Sequence, residues 1–347
     1  MSKIRLGGVK VVENRAYLSS SCRREVDVLG NICSSLAAGR INLGLLTHVN
    51  DNGRGESLTA ASTRNALRFS GFVLEMVDRG KFGKTIMENS VSRISVFPHD
   101  QSPEVTASVI ATFRDCAIIP WGFSCSPSAI TVTVSTTDLE NAMNSIFDHF
   151  AFSSCASFKE WDSVLRMDEQ KLNEVRFSYN EPIISIYGFT NQTGLDLWNI
   201  SLPVEQFGDF GGFLSELGEL NIKLPFLISN FLSLDQDLNF SFAMSREWLE
   251  TAKKAIHKHL PGLSCYCQRA VSLILLHGPH FGDRYGIAQA LVTALRGSSI
   301  PLLALSCAVS SISAVVAGDD PDKAIEALST RFHIPKGMEG ARGRHSR

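Results

Sequence analysis

Ala270-Val-Ser-Leu-Ile-Leu-Leu276, His277-Gly-Pro-His-Phe-Gly-Asp-Arg284 and the stretch from Gly286 to Arg296 follow one another near the C-terminus, and their order decides the fold. The first is a short apolar run, which reads as a buried strand. The second is polar and carries Gly and Pro, which reads as a loop. The third places Ile287, Ala290, Leu291, Ala294 and Leu295 at helical spacing. Two further apolar runs, Ile300–Leu305 and Ser311–Ala317, predict two more strands. Asp319-Asp-Pro-Asp322 then opens a helix that runs to Phe332, with Pro321 at a first helical position and acidic residues at the positive end of the dipole. Strand, helix, strand, strand, helix is the start of a ferredoxin-like βαββαβ unit. The fold class is therefore α+β, with helices on one face of antiparallel sheets.

The same order recurs upstream. Ser92–Phe97, Glu104–Arg114, Ile118–Phe123, Ala129–Val134 and a helix from Thr137 to Phe150 form one copy, and Thr137-Asp-Leu-Glu140 carries a capping-box pattern. Val9–Ser19, Val26–Ala38, Ile41–His48, Glu56–Ala61 and Leu67–Val77 form another, with Asp51-Asn-Gly53 as a hairpin turn. A divergent copy begins with a strand at Ile183–Tyr187. Gly194–Pro203 then reads as an insertion before the helix Phe210–Leu217, the strands Ile222–Ile228 and Leu238–Phe242, and the helix Glu247–His259. Asn42, Ile118, Asn221 and Ile300 mark the approach to the second strand in the four copies.

The expected division is 1–88, 89–152, a helical connector 153–180, then 181–262 and 263–335, with a disordered tail 336–347. The units fall into two pairs, first with second and third with fourth. Phe207, Phe210, Phe213, Phe226, Phe231, Phe240 and Phe242 are expected in the core of the third unit.

Composition narrows the function classes. Of the 347 residues 44% are hydrophobic, enough for packed cores, and a net charge of −2 gives no electrostatic case for nucleic acid or anionic membrane. No apolar run reaches the length of a membrane span, and the N-terminus has no signal-peptide stretch, so the expected compartment is the cytosol. The eight cysteines are scattered, with no CxxC pair or zinc spacing, so they read as reduced small hydrophobes and no metal or cofactor is expected.

Arg284-Tyr-Gly-Ile-Ala288, Ser310-Ser-Ile-Ser313 and Asp322-Lys-Ala-Ile-Glu-Ala-Leu328 resemble the regulatory ACT domain, most closely the tandem pair at the C-terminus of aspartokinases. Ser126-Pro-Ser-Ala-Ile-Thr131, Asp138-Leu-Glu-Asn-Ala142 and Gly39-Arg-Ile-Asn-Leu43 carry the same resemblance in the second and first units. It implies an eight-stranded sheet made by two domains side by side, with a small amino acid, lysine or threonine, at their interface. Backbone N–H groups at a helix start suit a carboxylate, and oxygens suit an ammonium. The candidate ligand residues are His99, Asp100, Gln101 and Ser102 in the second unit, and Gly282, Asp283, Gly286, Ser310 and Ser311 in the fourth. Asp283 suits the ammonium, and also suits a helix N-cap.

Lys81-Phe-Gly-Lys-Thr85 echoes the opening of the aspartokinase catalytic domain, but sits between two repeats and reads as a basic loop. With the repeats filling the chain, the expectation is no enzyme and no catalytic residue. The protein reads as an allosteric amino-acid sensor of aspartate-family metabolism. It would act on a partner such as an aspartokinase-like catalytic chain, or on its own homodimer. The alternative is a ligand-free interaction protein built from degenerate units.

Overall fold

A computed structural model describes residues 3–22, 27–51, 55–62, 71, 82–97, 101–126, 129–153, 155–163, 183–231, 237–278, 284–308, 311–318 and 321–334. The first half contains β1 (Ile4–Leu6), β2 (Gly8–Cys22), α1 (Val28–Ala38), β3 (Leu43–Asp51), β4 (Gly55–Ser62), β5 (Phe82–Phe97), α2 (Pro103–Asp115), β6 (Gly122–Cys125), β7 (Ile130–Ser135), α3 (Leu139–His149) and β8 (Phe150–Phe152). The second half contains β9 (Ile184–Ser185), β10 (Gly188–Pro203), α4 (Phe207–Glu219), β11 (Phe226–Phe231), β12 (Asp237–Ser245), α5 (Leu249–His259), β13 (Cys265–His277), α6 (Ile287–Gly297), β14 (Leu302–Ala308), β15 (Ser311–Ala317), α7 (Pro321–Ser329) and β16 (Phe332–His333).

The helix that opens each unit ends in the same way, and this is the clearest mark of the repeat. Arg40, Ala117, Asn221 and Ser299 all adopt a left-handed conformation, with φ between 53° and 55°. Such a φ costs a non-glycine residue about 1–2 kcal/mol. Two hydrogen bonds offset it. In the first unit the Arg40 N–H donates to the Ala37 carbonyl (3.0 Å) and the Ile41 N–H to the Leu36 carbonyl (2.8 Å). Ile118, Ile222 and Ile300 repeat the second bond at 2.9 Å each. This is the Schellman end, with a buried isoleucine just beyond the left-handed residue. The register therefore runs through Ile41, Ile118, Ile222 and Ile300, one residue away from the expected marks at Asn42 and Asn221.

Two long strands in each half are shared between neighbouring units. β2 pairs with β5 along nearly its whole length, and β4 joins β2 only over Tyr17–Cys22, while β7 joins β5 only over Val91–Val96. The first unit therefore borrows the start of β5, and the second borrows the start of β2. β10 and β13 repeat the exchange in the second half. The expected division between 88 and 89 falls inside the continuous strand β5. β1 pairs with β8, and β9 with β16, each parallel, so that the first and last strands of each half meet.

The side-by-side seams join units from opposite halves. β3 of the first unit pairs with β14 of the fourth, and β6 of the second with β11 of the third. Two eight-stranded sheets result, one from units 1 and 4 and one from units 2 and 3. They share the long strands at their edges, which closes them into one barrel. The expected pairing of first with second and third with fourth is thus corrected: sequence neighbours exchange strands, and sequence-distant units form the seams. Across the interior the seams touch through polar side chains. Thr47 Oγ1 donates to Asn230 Oδ1 (2.5 Å), and Ser124 Oγ lies 2.6 Å from Ser306 Oγ.

Helices cover the outside in two layers. α2, α3, α4 and α5 pack on units 2 and 3, while α1, α6 and α7 pack on units 1 and 4. Phe210 stacks on Phe240 at 4.1 Å and meets Phe213 and Phe242, all fully buried, as the phenylalanine-rich third unit predicts. Phe226 instead lines the barrel interior.

Other local readings change. Gly194–Pro203 is part of β10, the first strand of the third unit, and not an insertion; the bulge at Gly194, with φ 73°, breaks the alternation that marks a strand. Phe82–Thr85 begin β5 instead of forming a loop. Thr137-Asp-Leu-Glu140 makes no capping box: a 3-10 turn over Thr136–Asp138 leads into α3 without a side-chain cap. Most of the helix expected at Leu67–Val77, the connector beyond residue 163 and the tail lie outside the described residues, and 158–163 is helical. Among the described residues no helix is long and apolar enough to cross a membrane. Cys33, Cys116, Cys125, Cys155, Cys265, Cys267 and Cys307 are free thiols.

Candidate functional site

The seam between units 1 and 4 holds a small cavity of about 50 Å³. One wall is the start of α6 in unit 4. The other is the loop from α1 into β3 in unit 1. The start of α6 owes its shape to Gly286, the N-cap, whose φ of 85° suits glycine. Glycine brings no side chain to cap the helix, and among the described residues no side-chain cap meets its first N–H groups. Two other helices do carry a side-chain cap. Asp27 Oδ1 accepts from the Gly30 N–H at 2.8 Å, and Ser102 Oγ from the Val105 N–H at 3.4 Å.

The cavity is apolar on one side and polar on the other. Leu36, Leu46 and Ile312 form the apolar wall with Cys33 and Cys307. Burial pushes the Cys33 thiol up to about 12, and burial followed by the nearby Cys33 raises Cys307 well above its ordinary range. Both are neutral at physiological pH and behave as wall. Asn42, Gln289 and Ser311 contribute amide and hydroxyl oxygens, and Arg284 a guanidinium. Behind the strand, the Arg93 guanidinium lies against Gly44, which itself lines the cavity. Burial, then neighbouring Arg15, lowers Arg93 to about 10, so it stays cationic at neutral pH. The site thus combines a helix start with a glycine N-cap and the Arg284 guanidinium, which suit a carboxylate, with oxygens that suit an ammonium; the buried Arg93 charge lies behind it.

Two of the expected residues, Gly286 and Ser311, line this cavity. Gln101 and Ser102 lie at the other seam, where the Gln101 carbonyl accepts the Leu224 N–H at 3.3 Å. That seam is closed: a Cβ on Gly218 would lie 3.0 Å from the Glu104 backbone nitrogen. His99, Asp100, Gly282, Asp283 and Ser310 lie outside the described residues. The N-cap of α6 is Gly286. Sequence reasoning missed Ala37, Asn42 and Gly44 as site residues, although Gly39-Arg-Ile-Asn-Leu43 already carried the family resemblance. It also missed Arg284, Tyr285 and Gln289. Among the described residues no cluster of three or more His, Cys, Asp or Glu could hold a metal.

No protein-family model and no curated protein matches the sequence. Solved structures do match. An aspartate kinase from Synechocystis superposes with a TM-score of 0.74 at 14% identity, over 97% of this chain and 56% of that one. The fold is one that an aspartate kinase carries. This chain spans 56% of that kinase's length. The ligand-free regulatory subunit of aspartate kinase from Thermus thermophilus matches 43% of this chain at a TM-score of 0.38 and 13% identity. E. coli aspartokinase III, solved with lysine and aspartate, matches 43% at 0.34 and 13%.

The first match overturns the expectation of a non-enzyme. That expectation rested on four repeats filling the chain. The same four-unit fold occurs in an enzyme, as the matched portion of a longer chain, so repeats that fill these residues do not argue against a kinase.

Proposed function

We propose that this chain is the amino-acid-responsive portion of an aspartate-kinase-like enzyme in aspartate-family metabolism, and that the cavity between units 1 and 4 is its effector site. The observation that carries the reading is the uncapped helix start at Gly286 facing an apolar wall across a side-by-side seam. The ligand's carboxylate would meet the N–H groups of Ile287 to Gln289, with Arg284 adding positive charge. Its ammonium would meet the oxygens of Asn42, Gln289 or Ser311. Of the two amino acids that the resemblance implies, the wall supports threonine over lysine. A lysine ammonium placed against Leu36, Leu46 and Ile312 would lose its hydration, and Arg284 and Arg93 would repel it.

The ligand would work by holding the two units together. It touches α6 of unit 4 and β3 of unit 1, so it favours whichever packing state brings them closer. The shared strands carry that preference to units 2 and 3, and from there to a catalytic partner or a second copy of the chain. Calorimetric titration with the twenty amino acids tests the reading. Binding of threonine, or of another short uncharged amino acid, at millimolar concentration or below supports it. No heat with any of them overturns it. The closed seam between units 2 and 3 favours a structural role for that half.

A further inference from the structure

The left-handed residue that ends each first helix aligns the four units residue by residue, and the alignment exposes four equivalent places at the two seams. In each, the residue at the start of one helix faces a residue three before the left-handed position in the partner unit. The facing pairs are Asp27 with Arg296, Glu104 with Gly218, Gly208 with Arg114, and Gly286 with Ala37.

Three of the four places are filled from within the chain. The Arg296 guanidinium forms an ion pair with Asp27 and covers Gly30, in the first turn of α1. The stem of Arg114 lies over Gly208, where a Cβ would come within 2.9 Å of its Cδ, and Asp115 holds its guanidinium at 2.7 Å. Gly218 sits directly on the backbone of Glu104. The fourth place has the two smallest partners on offer that still leave room. A Cβ on Gly286 would lie 3.6 Å from the Ala37 Cβ, an ordinary contact, and the cavity opens beside it.

We propose that Ala37 is the residue that keeps this one seam open, and that the chain takes a single ligand because two arginine side chains and one glycine-to-backbone contact close the three equivalent places. The ligand in question is the amino acid of the effector reading above, on which this inference rests. Arg296 and Arg114 act as built-in occupants: each sets a cation and a hydrocarbon stem over a helix start that would otherwise face solvent. An arginine at position 37 should reach the start of α6 in the same way. Position 37 is only half-buried, so the larger side chain has an exit to solvent.

The experiment compares wild type, Ala37→Gly, Ala37→Arg and Arg296→Ala. Titration with threonine should fit one site per chain in wild type and Ala37→Gly. Ala37→Arg should weaken binding at least tenfold while still melting cooperatively. A wild-type fit to two or more equal sites, or unchanged binding in Ala37→Arg, would overturn the proposal. Hydrogen exchange without ligand separates this inference from the effector reading. Ala37→Arg should slow the amides of Ile287 to Gln289 several-fold, and Arg296→Ala should speed those of Val28 to Gly30. Where no amino acid binds wild type, the effector reading falls, and these rates alone decide the occupants. Shifts in the stated directions uphold them, and unchanged rates reject them.

Discussion

The two seams have the same topology and opposite character. Between units 2 and 3 the helices α2 and α4 press together through glycines: Gly211 meets Ile110, Gly218 meets Glu104, and Gly208 lies under Arg114. Between units 1 and 4 the helices α1 and α6 stand further apart, held at one end by Asp27 and Arg296 and open at the other. Identical backbone architecture thus yields a packed core in one place and a cavity in the other. The difference comes from a few side-chain volumes at equivalent positions. A repeat protein can therefore divide labour between stability and binding without changing its fold.

The largest expected effect falls on the core of unit 3, behind the packed seam. Phe210→Ala removes a ring that contacts three others and should cost about 3–5 kcal/mol, read from urea unfolding. A loss under about 1 kcal/mol would show that the phenylalanine cluster is loosely packed. Next comes a paired test of the contrast itself. Gly218→Val should destabilise by about 1–3 kcal/mol, because its branches meet the Glu104 backbone. Ala37→Val, at the equivalent position of the open seam, should cost within about 0.5 kcal/mol. Equal costs would break the distinction between the seams.

The contact between the seams gives an effect of intermediate size. Thr47→Val removes the buried hydrogen bond to Asn230 Oδ1 and should cost about 1–3 kcal/mol by the same unfolding measurement. The smallest effect is electrostatic. Lys258 and then His259, hydrogen-bonded to Glu216 at 2.8 and 2.6 Å, hold its carboxyl below the ordinary range. Its folded pKa is lowered, so its contribution is present above about pH 4.3, the unfolded value, and fades as pH falls through the folded value. For a partly exposed pair the size is about 0–1 kcal/mol. Glu216→Gln should flatten the acid limb of a stability–pH profile, and an unchanged limb would remove Glu216 from the account.

Much of the fold was legible because it is local. Ser311–Ala317 appears as a strand with the bounds that its apolar run suggests, and Val28–Ala38 and Pro103–Asp115 are helices within a residue or two of expectation. Hydrophobic period and turn residues act over a few positions, which a sequence displays directly. The misreadings share a cause. β10 looked like a short strand plus an insertion because Gly194 and its bulge interrupt the alternation, and the long strand is held together by partners on both sides, β12 and β13. The Schellman ends were nearly visible as four isoleucines. Without the left-handed residue before each one, the marks slipped by one at Asn42 and Asn221.

The candidate site was half legible for the same reason. Gly286 and Ser311 stand on one unit's own loop and strand, where local pattern points to them. Ala37, Asn42 and Gly44 come from a unit more than two hundred residues away in the chain. Nothing in local spacing says that unit 1 faces unit 4.

The sequence alone determined the α+β class and the recurring order of strands and helices, because propensity and period are properties of neighbouring residues. Only the tertiary structure decided which units sit side by side. Exchanged strands tie each unit to its sequence neighbour at one edge, and leave β3, β6, β11 and β14 to satisfy their free backbone groups across the two halves. That pairing puts Gly286 opposite Ala37, and their small size then leaves the cavity between them.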